Sequence, residues 1–185
     1  MKDFLYIAFN KPYGVLSQFT GEAEERTLAE FDLPKDVYAA GRLDKDSEGL
    51  LILTNDGVFN QKLTNPKSEK EKTYLVQIEN IPSIEKLREL EKGVMIQGKK
   101  TLPCKTKLRE DFNPDPRDPP IRERKNIPTA WLELTIKEGR NRQVRKMTAA
   151  IGHPTLRLIR VKVGKLAIDN LKTGEFKYIR PQDIL

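Results

Sequence analysis

The segment LLILT, residues 50–54, constrains the fold more than any other part of the chain, because it lacks polar alternation. A strand with one face in water alternates polar and apolar residues, so this pattern predicts a strand that is buried on both faces. The sequence NDG at residues 55–57 predicts the turn that ends it. The chain is therefore expected to place this strand inside its core.

Other segments predict three further strands and three helices. The strands are FLYIAFN (4–10), KTYLVQIE (72–79) and AWLELTIKEG (130–139), which are rich in β-branched and aromatic residues. The helices are expected near residues 58–63, at 83–93 and within 138–152. Ser83 is the predicted N-cap of the second helix, which ends at Gly93, and Asn141 is the predicted N-cap of the third. These elements favour a mixed α+β fold.

The two halves of the chain differ in charge. Residues 1–92 carry 13 Lys and Arg against 17 Asp and Glu, which gives −4. Residues 93–185 carry 21 against 10, which gives +11, and the sum is the net charge of +7. A clustered positive charge predicts a polyanionic partner for the second half, whereas the alternative is a basic surface that only aids solubility.

The segment NPDPRDPPIRERKNIP, residues 113–128, contains five prolines and four basic residues. Proline removes a backbone donor and fixes φ, so the segment cannot form a regular helix or a central strand. A loop of this length in a compact protein is usually functional or disordered. Its basic residues favour contact with RNA, and the alternative is a solvated proline-rich excursion.

The third predicted helix carries a basic side. Val144, Met147 and Ile151 form an apolar stripe, and Arg142, Arg145 and Lys146 share the other side. Arginines in a first helical turn oppose the helix dipole, which places positive partial charge there. This arrangement indicates an anionic partner, either a carboxylate or phosphates, whereas the alternative is a solvated basic face.

The sequence excludes several kinds of site because it has only one cysteine and one histidine. Cys104 is the only cysteine, so an intramolecular disulfide cannot form. His153 is the only histidine, which excludes histidine-based zinc sites and Ser-His-Asp triads. The apolar stretch GLLILTN is too short to span a bilayer, and no signal peptide is evident. We therefore expect a soluble cytoplasmic protein.

The acidic loop before the buried strand has two interpretations. Its sequence DKDSEG, which begins at Asp44, matches the opening of a calcium-binding EF-hand loop. The position that should hold a bidentate glutamate is Asn55, and a strand follows where a helix is required, so calcium is disfavoured. In an extended segment Arg42 and Asp44 point to one side while Leu43 points into the core. A carboxylate fixed in this way and kept ionised by an arginine is a nucleophile.

Four stretches are together similar to the motifs of one enzyme family. They are FNKPYGVLSQF, AAGRLDKDSEGLLILTNDG, KTYLVQI and IKEGRNRQVRKM, in this order along the chain. On these residues the chain resembles the pseudouridine synthases, in the branch that includes small-subunit ribosomal enzymes and their large-subunit relatives. The segments at residues 117–129 and 152–160 make the likeness closest to a large-subunit member.

The resemblance implies a role for individual residues. Asp44 matches the nucleophile, Tyr74 the residue that packs on the target base and could later move a proton, and Arg145 the partner of Asp44. Arg140 and Arg142 lie in the same motif and are alternatives for that pairing. The expected RNA contacts are Arg42, Arg122, Arg124, Lys125, Arg140, Arg142, Lys146, Arg157 and Arg160.

The resemblance also implies a fold and an architecture. We expect an α+β fold with a largely antiparallel sheet shared by two halves of one domain, about residues 1–68 and 69–185. Helices flank the sheet, and Asp44 lies in a central cleft. Some members of the branch carry an N-terminal S4-type RNA-binding domain, which this chain is expected to lack. A monomer is the expected state.

The implied activity is the isomerisation of one uridine of 23S rRNA to pseudouridine, in free rRNA or in a large-subunit assembly intermediate. The reaction involves no redox change, so neither a cofactor nor a metal is expected. One carboxylate suffices whether the route passes through C6 of the base, C1′ of the sugar or a glycal. The alternative is a non-catalytic RNA-binding or ribosome-assembly protein on the same fold.

Overall fold

The computed structural model describes residues 3–185. Within this range it has eleven strands and three α-helices. In chain order they are β1 (Tyr6–Lys11), β2 (Tyr38–Ala39), β3 (Glu48–Thr54), α1 (Gly57–Thr64), β4 (Lys72–Glu79), α2 (Ile84–Lys92), β5 (Met95–Ile96), β6 (Lys99–Lys100), β7 (Lys105–Leu108), β8 (Thr129–Ile136), α3 (Gln143–Ala150), β9 (Thr155–Val163), β10 (Leu166–Ala167) and β11 (Phe176–Tyr178). The mixed α+β class predicted from the sequence is confirmed.

The chain folds into two compact units. Unit 1 runs up to Lys70 and resumes at Ile159–Leu185, and unit 2 is Glu71–Leu158. The sequence-based division near residue 68 assigned the whole remainder to the second half, whereas residues 159–185 lie in unit 1. Long-range strand pairing explains this difference, because β9 pairs with β3 at Ile159 and Arg160, and β11 pairs with β1.

Unit 1 is organised around β3, the strand predicted to be buried on both faces. Its sheet has the order β11-β1-β3-β9, antiparallel between β1 and β3 and parallel between β3 and β9. All seven residues of β3 are buried. Leu51 and Leu53 pack into one hydrophobic cluster, and Leu50 and Ile52 pack into another. The prediction of a two-sided buried strand is confirmed.

Unit 2 has the strand order β9-β4-β8-β7, and β4 and β8 pair in antiparallel register along their full length. Tyr74, Val76 and Ile78 point from one face of β4 into a core that includes residues of α2 and α3. Gln77 and Glu79 alternate with them and are only half-buried on the other face. The sheet of this unit therefore has an apolar face and a polar face.

The predicted ends of the helices are confirmed for α2 and corrected for α3. Ser83 Oγ accepts from the amide of Lys86, and Gly93 follows the last residue of α2. In α3 the N-cap is Arg142, which has a φ of 50° and makes no side-chain capping bond. Asn141 lies one residue further out, where its carbonyl oxygen accepts from Lys146 Nζ at 2.8 Å.

The proline-rich segment joins β7 to β8 and contains no helix or strand, as predicted. Contacts with other parts of unit 2 hold it in place. Arg157 Nη1 donates to the carbonyl oxygen of Asp115 at 2.8 Å, and Arg124 lies 3.5 Å from the Glu79 carboxylate. Across residues 3–185, none of the helices has the length and apolar character needed to cross a bilayer.

Candidate active site

A buried lysine of unit 1 interacts electrostatically with the acidic loop. Lys11 at the end of β1 is fully buried, and its Nζ donates to the carbonyl oxygens of Val15 at 2.7 Å and Pro12 at 2.9 Å. Burial lowers the pKa of this ammonium to about 8, against the opposing effect of the Glu48, Asp46 and Asp44 carboxylates. The loop therefore arranges its negative charge around a positive side chain of the protein itself.

Two further acidic residues of this region, Glu48 and Asp56, support the structure of unit 1. Glu48 is only 7% exposed, and it contributes the largest favourable charge effect on Lys11. Asp56 caps α1, because its Oδ1 accepts from the amides of Val58 and Phe59, and its Oδ2 accepts from the Tyr6 hydroxyl at 2.7 Å. Both carboxylates have structural functions in unit 1.

The expected metal ligands of an EF-hand have other functions in the described structure. Asn55 stands at the position where a calcium site requires glutamate. Its Oδ1 accepts a hydrogen bond from the Leu5 amide at 2.7 Å, which connects the end of β3 to the start of β1. Residues 3–185 contain no group of three His, Cys, Asp or Glu side chains suited to a metal ion. The geometry of the loop favours a carboxylate fixed by the protein over a calcium site.

One serine binds both backbone polar groups of Leu43, the residue directly before Asp44. Ser17 Oγ donates to the carbonyl oxygen of Leu43 at 2.6 Å and accepts from the amide of Leu43 at 3.1 Å. The Leu43 side chain is buried in the unit 1 core, as the sequence predicted, and Asp44 is half-buried. The Asp44 carbonyl then accepts from the amide of Ser47 and closes a turn. Asp44 is thus attached to a rigid segment.

The far side of the loop is fixed by Arg160, which is only 3% exposed. Its Nε donates to the carbonyl oxygen of Leu50 at 2.8 Å, and its Nη2 lies 3.5 Å from the carbonyl oxygen of Gly41. This guanidinium, buried in unit 1, thus holds the ends of the acidic loop. A contact between Arg160 and RNA stays a prediction.

Unit 2 contains the other predicted residues of the site. Tyr74 on β4 is 8% exposed and packs in the core of this unit. Arg145 on α3 is half-buried, and Arg142 at the N-cap is exposed. Arg140 is committed elsewhere, because its Nη2 donates to the Ile96 carbonyl at 2.6 Å and its Nη1 to the Lys99 carbonyl at 3.1 Å. Of the three alternatives, Arg140 is the least suited to pair with a carboxylate.

Comparison with known proteins identifies the family. The family model described as RNA pseudouridylate synthase matches residues 5–150. The chain belongs to this family. The assignment confirms the resemblance found in the four motifs, together with the enzyme class and the RNA-modifying activity that it implied.

Named relatives of this pseudouridine synthase cover most of its length. Ribosomal large subunit pseudouridine synthase E of Xanthomonas axonopodis pv. citri is 55% identical over 171 residues, which are 90% of this chain and 90% of that protein. The protein of the same name from Vibrio parahaemolyticus is 53% identical over 174 residues, 94% of this chain and 73% of that protein. Ribosomal large subunit pseudouridine synthase B of Bacillus subtilis is 38% identical over 97% of this chain and 70% of that protein.

Solved structures support the fold of the synthase. A crystal structure of a pseudouridylate synthase aligns with 100% of this chain and 74% of its own chain, with a TM-score of 0.81 and 30% identity. A chain from an H/ACA RNP bound to a substrate RNA containing 2′-deoxyuridine aligns with 89% of this chain and 49% of its own, with a TM-score of 0.60 and 16% identity. The second likeness shows the fold alone.

The RNA contacts predicted for the synthase fall into three groups. The exposed ones are Arg42, Arg122, Arg124, Lys125 and Arg142. Arg140 and Lys146 are half-buried and bond to backbone carbonyls. Arg157 and Arg160 are buried. Only the first group consists of basic side chains that are largely open to solvent, so its members stay candidates for phosphate contacts.

Sequence reasoning missed three residues that support the predicted site residues of unit 1 or of unit 2. They are Lys11, Ser17 and Gln143. Gln143 is buried beside Arg140, and its Oε1 accepts a hydrogen bond from the Arg140 amide at 3.0 Å. The alternation of β1 could have predicted that Lys11 is buried, because Lys11 lies on the same face of the strand as the buried Ile7 and Phe9. No local pattern predicts the Ser17 bonds, since Leu43 is distant in sequence.

Proposed function

We propose that this protein isomerises one uridine of large-subunit ribosomal RNA to pseudouridine, with Asp44 as the nucleophile. The observation that carries the proposal is the rigid attachment of Asp44, whose neighbour Leu43 is bound through both backbone polar groups by Ser17. A nucleophile must approach one atom of its substrate along a fixed direction, and a mobile acidic turn would not provide this. Family membership supplies the reaction type.

The reaction balances without any other reagent. The bond between N1 of the base and C1′ of the ribose breaks, the base turns, and C5 bonds to C1′. The hydrogen on C5 leaves as a proton, and N1 gains a proton. No electrons are exchanged with another molecule, so we propose catalysis by side chains alone. The Asp44 carboxylate would form the transient covalent bond, either to the base or to the sugar.

Tyr74 and Arg145 are the proposed partners of Asp44. The target uridine must leave its stack in the folded RNA, which costs a few kcal/mol, and an aromatic face can recover part of this cost. The ring of Tyr74 would offer that face, and its hydroxyl would take part in removing the C5 proton. Arg145 is the proposed ion-pair partner because Arg140 bonds to the Ile96 and Lys99 carbonyls.

The proposed substrate is 23S rRNA, free or within a large-subunit assembly intermediate. The names of the relatives from Xanthomonas and Vibrio support this choice. The exposed basic residues Arg122, Arg124 and Lys125 would contact phosphates, which makes binding salt-dependent. We place the reaction in the cytoplasm, where bacterial ribosomal RNA is made.

The proposal is tested by incubating the purified protein with 23S rRNA and mapping pseudouridine by carbodiimide treatment and primer extension. We expect one new modified position with the wild-type protein and none with Asp44→Asn. Asp36→Asn, which changes an exposed aspartate in the same unit, is the matched control and should retain activity. No new pseudouridine with the wild-type protein, with RNA binding intact, would favour a non-catalytic RNA-binding protein. Full activity of Asp44→Asn would refute the nucleophile.

A further inference from the structure

Unit 2 contains a cavity of about 700 Å³ that includes neither Tyr74 nor any residue of the acidic loop. Strands β4, β8 and β9 line it from one side, and the proline-rich segment lines it from the other. Sites that bind small molecules and cofactors usually have volumes of roughly 300–1,000 Å³. The cavity is therefore large enough for one nucleotide.

The floor of the cavity is the polar face of the unit 2 sheet. Gln77 and Glu79 point to this face because they alternate with Val76 and Ile78, which face the core. Trp131 on β8 is the cross-strand partner of Gln77 and also lines the cavity. Phe112 packs edge-on against the Trp131 ring, with the two centroids 4.9 Å apart. The indole is thus held in a defined orientation.

The walls of the cavity are basic. Five arginine and lysine side chains line it, against two carboxylates. One of the five, Arg157, is buried and donates to the Asp115 carbonyl at 2.8 Å, so it fixes the wall. Arg122 and Lys125 are exposed on the same loop. The cavity therefore combines an aromatic floor with a positively charged rim.

We propose that this cavity binds a second unpaired nucleotide of the substrate RNA, distinct from the uridine that is isomerised. Its base stacks on Trp131, and Arg122 and Lys125 bind the adjoining phosphates. Proteins recognise single-stranded RNA by this combination of aromatic stacking and basic contacts. The inference rests on the proposed function, because it assumes an RNA substrate. It gives unit 2 a role in selecting the site, since one extruded uridine does not distinguish one loop from another.

Trp131 is the only tryptophan of the chain, so its fluorescence reports on this cavity alone. A synthetic stem-loop that contains the modified uridine, as mapped on 23S rRNA, is titrated into the wild-type protein, with a fully paired duplex of the same composition as the reference. We expect saturable quenching of Trp131 by the stem-loop and weak quenching by the duplex. Equal quenching by both would show general electrostatic binding and would overturn the proposal.

Substitutions then separate stacking from packing. Trp131→Leu should raise the KM for the stem-loop about 10-fold or more, with a small change in kcat, because one stacked base is lost. Trp131→Phe keeps an aromatic face and should stay within about 3-fold of the wild type. Equal KM values for the wild type, Trp131→Leu and Trp131→Phe would overturn the proposal. If the leucine variant fails to fold, the fluorescence titration of the wild-type protein still tests it.

The basic rim is tested by a matched pair of variants. Arg122→Gln should weaken RNA binding and reduce the slope of log K against log salt by about 0.7, as expected for one lost phosphate of a single strand. Arg88→Gln changes an exposed arginine of α2 outside the cavity and should alter neither quantity. Equal effects of the two variants would indicate only a loss of net charge and would count against the proposal.

The test distinguishes failure of this inference from failure of the proposed function. If pseudouridine forms while Trp131 fluorescence and KM do not respond to the stem-loop or to the variants, the cavity proposal is wrong and the catalytic proposal stands. If no pseudouridine forms on any RNA, the catalytic proposal is wrong, and a fluorescence titration with 23S rRNA itself in place of the stem-loop still decides about the cavity. Quenching by ribosomal proteins but not by RNA would assign the cavity to a protein partner and refute the proposal.

Discussion

Gly49 and Arg160 are paired in the parallel ladder between β3 and β9, and the backbone of Arg160 occupies the space that a side chain on Gly49 would need. A Cβ on Gly49 would lie 2.8 Å from the Arg160 amide nitrogen and would collide with the Arg160 carbonyl oxygen. Gly49 also has a φ of +106°, which disfavours other residues. This contact joins the acidic loop to the buried strand, so glycine is required there.

We therefore expect Gly49→Ala to lower the free energy of unfolding by about 3–5 kcal/mol, because backbone strain and overpacking act together. The measurement is urea unfolding followed by circular dichroism. Gly98→Ala is the control, since Gly98 also has a positive φ but has no atom within 4 Å of its virtual Cβ. Gly98→Ala should lower the free energy of unfolding by only about 1 kcal/mol. Equal losses for the two variants would show that the contact with Arg160 is unimportant.

The sequence predicted the elements whose pattern is local. The β3 strand follows from its own apolar run, and the caps of α2 follow from Ser83 and Gly93. It did not predict features that depend on distant partners. Glu48 is buried because the Lys11 ammonium lies nearby, and Arg160 is buried because β9 pairs with β3. The burial of an arginine in a basic strand cannot be predicted until the pairing of that strand is known.

For the candidate site, the sequence motifs located the segments but not their supports. Asp44 and Leu43 were placed on opposite sides of an extended segment by simple alternation, and the buried Leu43 confirms half of that prediction. The pairing of Asp44 with Arg145 stays a prediction. The Ser17 hydroxyl and the Lys11 ammonium bind backbone carbonyls, and no periodicity in a sequence encodes such bonds.

Ser17→Ala should reduce both stability and catalysis. The variant leaves the buried amide and carbonyl of Leu43 without their partner, which costs about 1–3 kcal/mol of unfolding free energy. Because Asp44 follows Leu43 directly, kcat should fall by about 10-fold or more while KM changes little. Single-turnover kinetics on rRNA measure the effect on catalysis, and urea unfolding measures the effect on stability. Ser68→Ala, at an exposed serine, should have neither effect. A stable enzyme with normal kcat would rule out positioning by Ser17.

Asp56→Ala should destabilise unit 1 in a pH-dependent way. The hydrogen bond from the Tyr6 hydroxyl has the largest effect on the pKa of Asp56, and the hydrogen bond from the Phe59 amide has the next largest. Both hold this pKa below its usual value. Because the pKa of Asp56 is lower in the folded state than the unfolded value of about 3.9, its carboxylate stabilises the folded protein above about pH 3.9. This stabilisation is lost as the pH falls through the folded pKa. At pH 7 loss of the N-cap should cost about 1–2 kcal/mol. Urea unfolding should show this difference shrinking below about pH 4. A difference that persists in acid would refute the role of the charge.

Lys11→Met tests the buried ammonium. Burial lowers the folded pKa of Lys11 to about 8, whereas the unfolded chain has its ordinary value of 10.5. Between these values the unfolded state binds more protons, so wild-type stability rises with pH. From pH 7 to 9.5 we expect the free energy of unfolding of the wild type to gain about 2 kcal/mol relative to Lys11→Met, measured with urea at each pH. Lys45→Met, at an exposed lysine of the same loop, is the control for the loss of one positive charge. A constant difference between the wild type and Lys11→Met would mean that Lys11 keeps an ordinary pKa, and hence that its burial carries no electrostatic cost.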